Sequence, residues 1–249
     1  MELLAGFTAL QIGVALAATF FGAFVRGLAG FGLALVLVPV LALAIAPLEA
    51  VLITNCLALL IGLSEIAKLY AAAERSALTI AGLVLLTTAP GMVLLASTPP
   101  DLARLLIAMV AISAFVAILL PQRPAGQPTA IITGLVGITS GFLTGFAGMP
   151  GPPVVPYYVG RAIPREVAKA SMLLIFTIAS VTGLASGAAI GQLEMRLVGL
   201  ALLLFPIVLI GNLLGTKAFG TVSEGLWRTV VAVVLGATAL VALTRLALP

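Results

Sequence analysis

The chain has 249 residues, of which 62% are hydrophobic and only 8% are charged, and its mean hydropathy is +1.31. Soluble domains carry roughly 25% charged residues, so a water-soluble fold could not cover this much apolar surface. Histidine is absent and Cys56 is the only cysteine, which excludes internal disulfides, Cys/His metal clusters and histidine-based catalytic triads. The net charge of +4 comes from scattered basic residues, which is typical of cytoplasmic loops and not of a nucleic-acid surface.

Long windows without a charged residue follow one another along the chain. Most reach the roughly 17–25 residues that a helix needs to cross a bilayer. Splitting the windows at charges, prolines and glycines gives about ten apolar segments, near residues 3–25, 28–46, 50–67, 77–97, 102–120, 130–146, 151–160, 167–189, 196–215 and 226–246. The sequence therefore predicts an all-α integral membrane protein with a single transmembrane domain over residues 1–249.

One window, from Pro124 to Gly160, has 37 residues. As a single helix it would measure about 55 Å, nearly twice the roughly 30 Å hydrocarbon core. The window must break internally, and the stretch Gly145-Phe-Ala-Gly-Met-Pro-Gly-Pro-Pro153 is the obvious place, because prolines cannot continue a helix interior.

The sequence also matches itself in two blocks, which predicts a duplication. Phe24, Gly27, Ala29 and Gly30 match Phe142, Gly145, Ala147 and Gly148 at a spacing of 118, and Pro39, Pro47 and Glu49 match Pro156, Pro164 and Glu166 at a spacing of 117. We therefore divide the chain into one repeat over 1–122 and a second over 123–249, each with five segments.

The basic residues indicate how the two repeats are oriented. If the segments alternate sides, nine of the twelve lysines and arginines fall on the face that holds residues 26, 68–75, 121–128, 161–169 and 217–228. By the positive-inside rule this face is cytoplasmic, so both termini lie outside the cytoplasm of a bacterial inner-membrane protein. Each repeat then has an odd number of crossings, and the two repeats must be inverted relative to each other.

Each repeat carries one Gly-rich helix break, predicted near the membrane midplane. Inverted repeats with broken helices are a transporter architecture, because the helix ends can direct free N–H groups at one buried site. The alternative is close packing of helices through small residues. The candidate substrate-binding glycines are Gly27, Gly30 and Gly32 in the first break and Gly145, Gly148 and Gly151 in the second.

Arg26 is the only basic residue within a Gly-rich break, and its counterpart in the second repeat is Thr144. A guanidinium group can bind two oxygens of an oxyanion at once, and an arginine within a membrane segment is a functional candidate. The alternative is an interfacial anchor whose charged end reaches water.

Several neutral polar residues could complete an anion site. In membrane bundles, such residues also link helices, and tyrosines also sit at the interface. The predicted binding residues are Thr144, Asn55, Asn212, Ser171 and Tyr157, with Ser64, Thr177 and Ser180 as further donors.

These motifs resemble the TauE/SafE family of sulfite and organosulfonate permeases, also called the four-toluene sulfonate uptake family. The likeness rests on Phe24-Val-Arg-Gly-Leu-Ala-Gly-Phe-Gly32 followed by Pro39, on Phe142-Leu-Thr-Gly-Phe-Ala-Gly-Met-Pro-Gly-Pro-Pro153 followed by Pro156, and on Gly211-x-x-x-Gly215. The chain departs from the family pattern at Met149-Pro150, where small residues are more common. The resemblance implies export or uptake of sulfite, sulfonates or related sulfur oxyanions.

Acidic residues fall mainly in turns, which argues against a cation channel or a carboxylate-based antiporter. We expect the nearest exception, Glu65, to pair with Lys68 at the interface. Any proton coupling would then be carried by the substrate, since sulfite and hydrogensulfite interconvert near neutral pH. A passive anion channel with the same architecture remains an alternative, and a membrane enzyme or assembly factor is a weaker one. We expect no enzyme activity, cofactor, metal or nucleic-acid partner.

The predicted topology can be tested with single cysteines at positions 2 and 162 in a Cys56→Ala background. Membrane-impermeant thiol reagents should label Glu2→Cys from outside the cytoplasm and Ala162→Cys from the cytoplasm. Labelling of both cysteines from the same side would overturn the inverted-repeat prediction.

Overall fold

A computed structural model describes residues 6–119, 128–159, 161–218 and 224–247. These residues form eleven α-helices in chain order, namely α1 (Ala9–Ala29), α2 (Leu33–Ala44), α3 (Pro47–Leu63), α4 (Ile66–Ala72), α5 (Arg75–Ser97), α6 (Pro100–Leu119), α7 (Ala130–Ala147), α8 (Gly151–Val159), α9 (Arg165–Ala189), α10 (Met195–Ala218) and α11 (Glu224–Ala247). The all-helical architecture confirms the predicted class. Residues 121–127 of the region joining the predicted repeats lie outside the described part.

Within the described residues, six helices are long and apolar enough to cross a membrane, namely α1, α5, α6, α7, α9 and α10. The count becomes seven if α3 and α4 form one broken span, since they meet at an angle of 74°. This bend corrects the prediction of one continuous segment over 50–67. No glycine or proline marks the bend, which falls at Ser64 and Glu65.

Two further helix ends fall within the Gly-rich stretches. Gly30 ends α1 with φ +81°, and Gly32 precedes α2 with φ +108°. Gly148 ends α7 with φ +64°. Such left-handed conformations are costly for residues with a side chain, so glycine is required at these positions. Arg26 lies in the last helical turn of α1 and not in the break itself.

Helices α1 and α10 pack closely along their length, and so do α5 and α7. Glycines make both contacts possible. A Cβ at Gly27 would overlap the backbone of Asn212, and a Cβ at Gly145 would overlap the backbone of Thr88. The close approach of backbones through small residues is a common way for membrane helices to associate.

Around these pairs, α3 packs against α9, α6 against α11, α2 against α11 and α8 against α6. The core is rich in fully buried side chains of α2 and α3, such as Leu37, Leu41 and Leu52. Outer helices expose large apolar side chains such as Leu86 and Ile131, as expected for surfaces that face lipid. The short helices α2 and α8 are therefore enclosed by the longer ones.

The packing role of Gly145 can be tested against a glycine elsewhere in α7. Gly145→Ala should destabilise the protein by about 1–3 kcal/mol, because the added methyl group forces α5 and α7 apart. A Cβ added at Gly134 would have no neighbouring atom within 4 Å, so Gly134→Ala should be neutral or stabilising, by up to roughly 1 kcal/mol. Thermal unfolding in detergent measures both, and equal melting temperatures would contradict the proposed role.

Candidate functional site

A cavity of about 80 Å³ lies where the first turns of α2 and α8 approach α3 and α9. Its wall is mostly apolar, with a few polar groups directed inward. The lining residues are Arg26, Phe31, Gly32, Leu33, Ala34, Leu35, Asn55, Ala58, Gly62, Ala114, Gly148, Met149, Pro150, Gly151, Pro152, Val155, Leu173, Phe176, Thr177 and Ser180. Five of the predicted binding residues are among them, namely Arg26, Gly32, Asn55, Gly148 and Gly151, and so are two of the further predicted donors, Thr177 and Ser180.

Arg26 brings a positive charge to this cavity and is only 9% exposed. Its Nη1 donates a hydrogen bond to Oδ1 of Asn212 at 2.8 Å, so two predicted site residues meet directly. Its Nη2 lies 3.9 Å from Oε2 of Glu65. The expected pairing of Glu65 with Lys68 is therefore wrong, because the bend after α3 turns Glu65 towards Arg26 instead.

Asn55 lies in the middle of α3 and is 2% exposed. Its Nδ2 has no hydrogen-bond partner, although buried polar groups are nearly always paired. Gly183 of α9 makes room for this amide, since a Cβ there would overlap Nδ2. Sequence analysis missed Gly183, because a glycine within a helix gives no sign of which neighbour it accommodates. Asn55 thus lines the cavity and carries an unused hydrogen-bond donor, which packs against Gly183.

The first turn of α2 adds backbone donors. The first N–H groups of a helix have no partner within it, and those of Leu33, Ala34 and Leu35 belong to residues that line the cavity. In α8 the corresponding turn contains Pro152 and Pro153, which have no N–H group. The helix dipole favours an anion at both helix starts, but α2 offers more hydrogen bonds than α8.

Thr177 and Ser180 of α9 also line the cavity. Thr177 donates to the carbonyl of Leu173, and Ser180 donates to the carbonyl of Phe176, both at 2.8 Å. Each hydroxyl hydrogen is therefore used within α9. These side chains offer lone pairs to the cavity, and they could accept a hydrogen bond from a protonated ligand or a water molecule.

The remaining predicted site residues do not line the cavity. Gly27 and Gly145 form the helix contacts described above. Thr144 donates to the carbonyl of Ser140 at 2.8 Å within α7. The nearest neighbour of a Cβ at Gly30 would be the aliphatic chain of Lys169, at 3.6 Å.

Tyr157 and Ser171 belong to a polar cluster away from the cavity, between α5, α8 and α9. The Arg161 guanidinium donates to both carboxylate oxygens of Glu74, at 2.6 and 2.7 Å, and lies 5.3 Å from the centre of the Tyr157 ring. The Ser171 hydroxyl accepts from the Glu74 backbone N–H at 2.9 Å. Hydrogen bonding to Glu74 raises the pKa of Arg161. The ion pair between these two residues connects the end of α8 to the start of α5.

The many apolar helices, long enough to cross a bilayer, place the chain in the class of multi-pass membrane proteins. Comparison with known proteins gives the family. The profile of a family described as "Sulfite exporter TauE/SafE" matches residues 15–242. The chain therefore belongs to the TauE/SafE family, which confirms the resemblance drawn from its glycine motifs.

A curated relative is similar over a shorter stretch. It is described as "Probable sulfite/organosulfonate exporter TauE", from Cupriavidus necator strain H16, and is 30% identical over 98 residues. The aligned stretch covers 39% of this chain and 37% of the relative. No solved structure matches the chain.

The glycine that ends α7 can be compared with one of similar backbone conformation outside the cavity. Gly148 has φ +64° and a Cβ there would lie 3.3 Å from Val38, whereas Gly191 has φ +72° and nothing within 4 Å. Leucine at either position incurs a similar backbone strain, but only at Gly148, which lines the cavity, would the side chain also crowd Val38 and Val51. We expect Gly148→Leu to lose the sulfite transport that family membership implies, as measured in liposomes.

Gly191→Leu is the control for this test and should retain transport. We expect each variant to insert into the membrane, and the amount of each in the membrane should be measured to check this. Normal transport by Gly148→Leu would show that the break at Gly148 serves packing alone.

Proposed function

We propose that this protein is a transporter of the bacterial inner membrane that carries a small sulfur oxyanion, such as sulfite or an organosulfonate, through the cavity beside Arg26. Family membership supports the substrate class, and the name of the relative from Cupriavidus necator agrees with it. The positive charge and the hydrogen-bond donors of the cavity support the sign of the substrate. The charge and donors belong to this chain and do not depend on the likeness to other proteins.

The observation that carries the proposal is the buried guanidinium of Arg26 in the wall of the cavity, a wall that also includes Asn55 with its unpartnered amide. An unsatisfied buried donor costs about 1–3 kcal/mol, and a buried charge costs more unless it is paired. An oxyanion in the cavity would accept from the guanidinium and, once the Asn55 side chain turns towards it, from the amide as well, which would offset both costs. Backbone N–H groups at the start of α2 would bind its remaining oxygens.

The size of the cavity favours a small substrate. One water molecule needs a cavity volume of roughly 10–15 Å³ on the same scale. The volume of about 80 Å³ therefore holds only a handful of water-sized groups. An ion of four or five heavy atoms fits this space. A substrate with an aromatic ring would require the cavity to enlarge, so we propose a compact oxyanion as the preferred substrate.

For the transport mechanism we propose alternating access between two inverted repeats, 1–122 and 123–249, within one transmembrane domain. The packing pattern supports this division, because α1 pairs with α10 as α7 pairs with α5, and α2 contacts α11 as α8 contacts α6. If each helix of one half is replaced by its counterpart in the other half, the α1–α10 contact becomes the α7–α5 contact, and the α2–α11 contact becomes the α8–α6 contact. In this proposal the halves rock around the cavity, and both termini face away from the cytoplasm.

The proposal predicts that Arg26 contributes strongly to anion binding. Loss of a charge-assisted contact to a desolvated partner costs about 2–4 kcal/mol, so Arg26→Ala should weaken sulfite binding by roughly 30-fold to 1000-fold. Arg26→Lys keeps the charge but not the planar group and should bind with intermediate affinity. Calorimetry on folded protein in detergent measures the dissociation constants.

Asn55→Ala belongs to the same experiment and should weaken binding less than Arg26→Ala, since it removes a neutral donor. Transport by purified protein in liposomes, screened over sulfite, sulfate, thiosulfate, taurine and isethionate, identifies the substrate. If Arg26→Ala binds all of these as tightly as the unmodified protein, then Arg26 is an interfacial anchor and the proposed site is wrong.

A further inference from the structure

Glu65 occupies the corner between α3 and α4, three residues after the cavity-lining Gly62. Its backbone N–H donates to the Gly62 carbonyl at 3.1 Å, and its carbonyl accepts from the N–H groups of Lys68 and Leu69 at 3.0 Å each. These bonds fix the backbone on both sides of the bend. The side chain makes no capping hydrogen bond to α4, so its carboxylate is available for another partner.

That partner is the guanidinium of Arg26. The separation of 3.9 Å exceeds a hydrogen-bond length, so the attraction is purely electrostatic and the N–H groups of Nη2 stay uncommitted to Glu65. Among the described residues, no other cation lies within 4 Å of the Glu65 carboxylate. The Glu65 side chain is 47% exposed, and that of Arg26 is 10% exposed, so the acid lies at the outer edge of the site.

We propose that Glu65 is the resident counter-ion of Arg26 and competes with the transported anion for its charge. This inference rests on the proposed function of the cavity. An anion bound at Arg26 would meet the negative charge of Glu65 within a few ångströms, and the two would repel each other. Glu65 therefore compensates the buried charge when the site is empty and weakens anion binding when it is filled.

Such a competitor suits a transporter. A buried arginine without any partner would destabilise the empty protein, whereas an arginine that held the anion too tightly would not release it. A half-exposed carboxylate serves both needs, because it can turn towards water while the anion is bound. The side chain of Asn212 keeps the guanidinium in place in either state, through its hydrogen bond to Nη1.

The pair occurs in one half of the chain alone. The positions that match Arg26 and Glu65 at the repeat spacing of 117 to 118 are Thr144 and, for Glu65, Thr182 or Gly183. None of these residues is charged. The proposed competition is therefore a property of the α1, α3 and α4 side of the cavity, and a single substitution removes it.

The test compares sulfite binding by the purified full-length protein with that of Glu65→Gln. Two charges about 4 Å apart in a water-like environment interact strongly enough to change an affinity roughly five-fold. Removal of the Glu65 charge removes an interaction of this size between the carboxylate and the bound anion. We expect Glu65→Gln to bind sulfite about five-fold more tightly at low ionic strength, and the difference to shrink as salt screens the charges. Glu65→Asp keeps the charge and should remain close to the unmodified protein.

Asp101→Asn is the matched control. Asp101 also pairs with an arginine, Arg104 at 2.7 Å, and its side chain is 45% exposed, but neither residue lines the cavity. This variant should bind sulfite like the unmodified protein. If the unmodified protein binds sulfite and Glu65→Gln binds it equally or more weakly, the competition does not exist, although the proposed function stands. If the unmodified protein does not bind sulfite, the proposed function itself fails.

Discussion

A backbone within a bilayer has no water to bond with, so every interruption of a helix must be enclosed by other protein segments. In this chain α1 stops at Gly30 and α7 stops at Gly148, which leaves two sets of free backbone groups inside an apolar fold. The enclosing helices α3 and α9 exclude lipid from these ends and leave a small cavity between them. The arrangement of the long helices thus follows from the need to shield two short ones.

The position of Arg26 in the cavity wall buries its charge. The guanidinium of Arg26 is only 9% exposed, so its charge needs compensation from neighbouring groups. The fold provides a neutral acceptor, Asn212, and a carboxylate beyond hydrogen-bond distance, Glu65. Neither uses its full hydrogen-bonding capacity. Arg26 therefore keeps N–H groups free for the anion that the proposed function places in the cavity.

Much of this could be predicted from sequence, because apolar length and the Gly/Pro stretches have direct physical meaning in a membrane. Helix ends at Gly30 and Gly148, and the presence of Arg26 and Asn55 in the cavity wall, follow from such patterns. The bend at Glu65 could not be predicted, since no glycine or proline marks it. The role of Gly27 and Gly145 was also hidden, because a glycine that admits a neighbouring helix looks the same in sequence as one that admits a ligand.

The two halves of the chain share their glycine pattern but differ in the groups they bring to the cavity. The first half supplies Arg26 and a run of backbone N–H groups at the start of α2. The second half has the neutral Thr144 at the position of Arg26, and prolines replace donors in the first turn of α8. An anion would therefore bind mainly to the first half, while the second provides an apolar wall through Met149 and Phe176. Relative movement of the halves could then open the cavity without separating the anion from its principal donors, since α1 and α2 would move with it.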